Sequence, residues 1–161
     1  MIGTSGGRGK LVALLLVPAA VAVAGFLLYI RLRLEPPTVP GFALEGDGGV
    51  TTVRHGELFV MTVRPLAPAA GAIGARAFLL RADEVRPWTA PYSVALDGTV
   101  TVSGPVDVLF EGVPPGEWEV AIAVGRPETL PTAPRDILRA RDAGADDAAW
   151  RLVRQRIAIG G

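Results

Sequence analysis

The chain has 161 residues, with 16 basic and 16 acidic side chains and no cysteine, so disulfides, thiolate zinc sites and a cysteine nucleophile are excluded. Arg8, Lys10, Arg31 and Arg33 all precede the first acid, Glu35, which leaves 12 basic residues against all 16 acidic ones in the remainder. That mild acidity argues against nucleic acid as a partner, because such affinity comes mainly from neutralised phosphates.

The first predicted element is the uncharged run from Leu11 to Ile30. As a helix its 20 residues would reach about 30 Å, the thickness of a bilayer's hydrocarbon core. Pro18 lies inside it, which a helix in lipid tolerates. Tyr29 and the Arg31/Arg33 pair suit the interface, where a ring and snorkelling cations are at home. The rival reading is a cleaved signal peptide, with Arg8 and Lys10 as its positive region and Ala22-Val23-Ala24 before Gly25 as its cleavage site. The apolar run continues through Phe26, Leu27, Leu28 and Ile30, beyond the usual ~7–15 residue signal core, and this favours an uncleaved anchor. The flanking charges are nearly balanced. A short N-terminal tail kept inside, with the C-terminal domain exported to the periplasm, is the expected arrangement in the cell membrane.

Residues 31–40 read as a stiff linker, because Pro36, Pro37 and Pro40 favour polyproline geometry. The remaining residues, 41–161, are enough for one compact domain. Short strands separated by Gly, Pro and Asp turns fill it. Phe42-Ala43-Leu44 opens the set, and Phe59, Met61 and Val63 alternate with Val60 and Thr62. Ala75 to Arg81 follows, with Phe78 and Leu80 on the face of Arg76. Tyr92 to Leu96 and Val100 to Ser103 flank Asp97-Gly98-Thr99, a strong hairpin signal. Val106 to Phe110 reads as a further strand. In Glu117 to Val124, the side chains of Trp118, Val120, Ile122 and Val124 form the buried face. Glu117, Glu119, Ala121 and Ala123 form the more exposed one. A short helix begins at Pro134, with Ile137, Leu138 and Arg141 at helical spacing, and Gly144 interrupts it. Trp150 to Ile159 is the last strand. The expected fold is mainly β: an antiparallel Ig-like or prealbumin-like β-sandwich with one short helix.

The stretch from Phe110 to Val120 (Phe-Glu-Gly-Val-Pro-Pro-Gly-Glu-Trp-Glu-Val) resembles a turn common in prealbumin-like and carboxypeptidase-regulatory-like sandwiches. There a Pro-Pro-Gly turn delivers an aromatic into the core at the start of a strand. In layout the chain is also similar to the exported halves of membrane-anchored anti-sigma or sensor-like proteins of myxobacteria and related Gram-negative bacteria. Their cytoplasmic zinc finger is missing, since only ten residues precede the apolar run and there is no cysteine. A sigma-factor-binding role is therefore not supported, and the resemblance brings no site residues.

No arrangement of side chains reads as catalytic, cofactor-binding or metal-binding. His55 is the only histidine and Ser5, Ser93 and Ser103 the only serines, so a Ser-His-Asp triad has few pairings open to it. Asp142, Asp146 and Asp147 lack the alternating oxygens and closing Glu of a calcium loop. Glu117 and Glu119 stand side by side on a sheet surface, not across a cleft as a glycosidase requires. Of the three tryptophans, Trp88 alone reads as exposed enough to contact a ligand or partner, the alternative being packing in the core or at a sheet edge. These observations predict a non-catalytic interaction or sensory domain held at the membrane surface, with another envelope or membrane protein as partner. The alternative is a carbohydrate- or peptidoglycan-binding module that uses Trp88 and an acidic sheet face.

Overall fold

A computed structural model of the chain describes residues 39–46, 48–143 and 149–160, together with Gly25. The apolar run, most of the linker, Asp146 and Asp147 lie outside the described residues. Among those described, no helix is long and apolar enough to cross a membrane. Contacts divide the chain between Pro37 and Thr38. Val39 is already buried, and its carbonyl accepts a hydrogen bond from Arg151 Nη2 at 3.2 Å. The last residues assigned to the linker therefore belong to the domain.

Among the described residues, nine strands form two sheets. The first contains β1 (Phe42–Leu44), β3 (Leu58–Pro65), β7 (Val100–Pro105) and β6 (Tyr92–Val94), paired in that order and antiparallel throughout. The second runs β2 (Thr51–Val53), β9 (Trp150–Ile159), β8 (Gly116–Gly125), β4 (Gly74–Arg81) and β5 (Glu84–Trp88). It is antiparallel except where β2 lies parallel to β9. Period-two alternation builds the space between the sheets. Phe59, Met61 and Val63 of β3 and Val100 and Val102 of β7 meet Trp118, Val120, Ile122 and Val124 of β8, with Leu79, Val153 and Ile157, in one buried cluster. The result is a mainly β, sandwich-like domain.

The expected exposed face of β8 is exposed at one end only. Ala121 and Ala123 are fully buried, in a second cluster with Phe78, Leu80, Leu130, Ile137, Ala140 and Trp150. A helix, Pro134–Ala143, contributes Ile137 and Ala140 to it. Proline starts the helix, Asp136 sits in its first turn and Arg141 in its last, each matching the helix dipole. The alanines leave room for close approach, so the helix covers this part of the second sheet's outer face.

Val106 to Phe110 is not a strand. Val106–Leu109 is one helical turn, here α1, and the ten-residue helix is α2. A strand would have put Val106, Val108 and Phe110 on one face. Instead Val106 and Leu109, three apart, are both buried while Val108 is exposed, and Pro105 sets the entry with φ −60° and ψ 135°. Two short elements are not evident in the sequence pattern. The β2 strand is only three residues long, and β5 contains Pro87, which an edge strand accommodates because its outer N–H groups need no partner.

Candidate interaction surface

The outer face of the first sheet is low in charge. Along β3 the side chains opposite the core are Leu58, Val60, Thr62 and Arg64. In register across the sheet, Leu58 faces Pro105, Val60 faces Ser103, and Thr62 faces Thr101, which in turn faces Ser93; Ala43 lies beside Arg64. Leu58 is 68% exposed and Val60 56%. The one formal charge in these rows, Arg64, is paired with Glu45 at 3.0 Å. Alternation forces every second residue of β3 to this face, so a solvated sheet would be expected to place polar or charged groups there.

The outer face of the second sheet differs. Glu119 lies opposite Arg156 and accepts a hydrogen bond from Arg154 Nη1 at 3.3 Å. The acidic face expected from Glu117 and Glu119 is thus partly neutralised by arginines of β9. Beside it lies a groove of about 240 Å³ lined by Arg81, Glu117, Trp118, Glu119, Arg141 and Arg156. Arg141 is committed: its Nη1 donates to the Ala82 carbonyl at 2.5 Å and its Nε to Asp142 at 2.8 Å. The hydrogen bond to Asp142, with Asp83 also nearby, holds its pKa above the ordinary arginine value. Trp118 also lines the groove, and its Nε1 donates to the Pro114 carbonyl at 2.8 Å. The guanidinium groups of Arg81 and Arg86 lie 5.4 and 5.6 Å from its ring centroid. Arginines and glutamates are thus interleaved along this face.

Of the two readings of Trp88, exposure or packing, the structure shows packing. The residue is 7% exposed and donates its indole N–H to the Leu109 carbonyl at 2.6 Å. It stacks on Phe110 with centroids 5.2 Å apart and meets Phe59 edge-on at 6.2 Å. The Pro87 strand carries it inward, opposite Ala77. His55 is 90% exposed and pairs through Nδ1 with Asp107, whose carboxylate also accepts the Gly56 N–H. That arrangement pins the turn before β3 onto α1. Among the described residues no group of three or more His, Asp or Glu side chains could hold a metal ion.

The exposed apolar residues are not evident from sequence alone. Alternation puts Val60 on the side of its strand opposite Phe59 and Met61, and a bare valine next to a threonine is the only signal there. Comparison with known proteins finds no matching family model and no matching curated protein.

Proposed function

We propose that this chain is a non-catalytic interaction domain tethered to the cell membrane by residues 11–30 and exported to the periplasm. Its partner is another envelope or membrane protein, docked on the outer face of the first sheet. The low charge of that face, with Leu58 and Val60 exposed beside Pro105 and Ser103, is the observation that carries the reading. Exposed apolar area rimmed by polar residues marks protein contact surfaces. Burial of Trp88 removes the main support for a carbohydrate-binding module.

Strand order supports the Ig-like reading of the sandwich over the prealbumin-like one. The sheet β1-β3-β7-β6 follows the A-B-E-D order of immunoglobulin domains, and β9-β8-β4 follows G-F-C. Trp118, hydrogen-bonded back to Pro114 at the start of β8, occupies the place of the tyrosine corner of that fold.

Photo-cross-linking in intact cells tests the function. A photoreactive residue at Val60 is expected to trap one envelope or membrane protein, and the adduct should vanish with Leu58→Glu. A residue at Arg154 on the opposite sheet should trap nothing in common with it. Identical adducts from both positions, or none from Val60, overturn the proposal.

A further inference from the structure

The end of the domain at which the chain enters carries a second apolar surface. Residues 66–73, joining β3 to β4, are Leu-Ala-Pro-Ala-Ala-Gly-Ala-Ile, eight in succession with no polar side chain. Leu66 is 72% exposed, and Ala67, Pro68, Ala70, Gly71 and Ala72 are exposed with it. Leu96, in the turn between β6 and β7, is fully exposed. Connecting loops are normally polar, and a run of this length in water exposes apolar area with no compensating group.

The surface is held in shape. Leu66 N–H donates to the Gly41 carbonyl at 2.8 Å, which ties the loop to the entering chain. Gly98 has φ +89°, and a Cβ there would lie 2.9 Å from the Ala69 Cβ and 3.7 Å from Ile73. The β6–β7 turn is thus pressed against the loop. Leu66, Ala67, Pro68, Ala69 and Leu96 line one shallow depression of about 370 Å³ with Asp97. The nearby charges are engaged within the domain: Arg64 by Glu45, Arg126 by the Ala72 carbonyl of the loop, to which its Nη1 donates at 3.2 Å, and Asp97 by the backbone N–H and hydroxyl of Thr99 at 2.9 and 3.0 Å.

We propose that this end seats on the lipid bilayer, with Leu66 and Leu96 in the headgroup region of the leaflet from which the chain emerges. The inference rests on the proposal that residues 11–30 span the membrane. Residues 31–38 then reach at most about 28 Å when fully extended, and they lead into the end of the domain where Gly41 touches Leu66. A short tether keeps that end close to the surface. Apolar residues whose neighbouring guanidinium groups, Arg64 and Arg126, already bond within the domain suit insertion by burial, not attraction to anionic lipid.

Because the chain has no cysteine, single-cysteine labelling is direct. Ala20→Cys, Ala67→Cys, Leu96→Cys and Val108→Cys are made in the full chain, labelled with an environment-sensitive fluorophore and reconstituted in phosphatidylcholine vesicles containing nitroxide lipid. Labels at 20, 67 and 96 are expected to be quenched at least threefold more than the label at 108, where Val108 is exposed on α1 at the other end of β7. Leu96→Asp should lower quenching at 67 at least twofold. Quenching at 20 with none at 67 and 96 overturns this inference alone. Failure at 20 overturns the spanning segment, and the inference with it. Quenching at 67 that requires anionic lipid, or that falls on dilution of protein in lipid, overturns apolar seating in favour of charge attraction or contact between copies.

Discussion

Replacement of Trp88 distinguishes a packing role from a recognition role. The ring is enclosed by Phe59 and Phe110, and its one polar atom is used by the Leu109 carbonyl. A buried tryptophan covers some 150–250 Å². At about 25 cal/mol per Å² that corresponds to about 4–6 kcal/mol as an upper bound. Measured losses for truncation of large aromatics run at about 3–5 kcal/mol, and Trp88→Ala is expected in that range. Trp88→Phe keeps a ring against Phe110 but leaves the Leu109 carbonyl unpaired, at a cost of about 1–3 kcal/mol. A domain of this size has a margin of about 5–15 kcal/mol, so the alanine variant should be severely destabilised and the phenylalanine variant folded but weakened. Urea unfolding of the full chain in neutral detergent, followed by near-ultraviolet circular dichroism, gives both values. A loss below about 1 kcal/mol for Trp88→Ala, well under the truncation range, would show that the ring is not structurally required and would refute this reasoning.

Other outcomes follow from single positions. Ile137→Ala removes a fully buried side chain of α2 from the second cluster and should destabilise by about 2–5 kcal/mol in the same assay, with faster amide exchange at Ala121 and Ala123. Gly98→Ala combines a left-handed backbone with a steric clash against Ala69 and should lower the unfolding midpoint, whereas Asp97→Gly should leave the β6–β7 pairing intact. Ala82 holds φ 50° in the β4–β5 turn, so Ala82→Gly should raise stability by up to about 1 kcal/mol. Asp97 is held below its ordinary value of 3.8 by hydrogen bonds from the Thr99 backbone and side chain. A depressed carboxylate stabilises the folded form above the unfolded pKa and loses that contribution as pH falls through the folded one. Titration by carboxyl carbon NMR should therefore place Asp97 below 3.8, and Thr99→Val should raise it.

Local chemistry makes the hairpin, β3 and β8 legible. Asp97-Gly98 announces its turn because glycine is needed at positive φ, and the alternation of Phe59, Met61 and Val63 can satisfy only one face of a strand. The outer layer is harder to read. Ala121 and Ala123 alternate as solvent-facing residues would, and only their small size, next to Glu117 and Glu119, hints that a helix approaches them. Trp88 is ambiguous because Pro87 suggests a loop, while an edge strand accepts proline and delivers the ring inward. The exposed apolar surfaces depend on register. That Leu58 lies beside Pro105, or that Leu66 and Leu96 share one end, is set by pairings between segments distant in the sequence, which local pattern does not encode.

The parallel seam between β2 and β9 has a mechanical consequence. It joins Thr51, Thr52 and Val53 to Ile157, Ala158 and Ile159, and the Gly160 N–H donates to the Val53 carbonyl at 3.0 Å. The chain arrives at the beginning of β2 and leaves from the end of β9. A pull between the two termini meets β1 first, through its pairing with β3, and once β1 is released it acts along β2 and β9 in opposite directions, across a ladder whose hydrogen bonds are loaded together and not broken in succession. A domain tethered at its N-terminus and tugged from its C-terminus would resist by shear at this seam, a geometry suited to a chain held under tension.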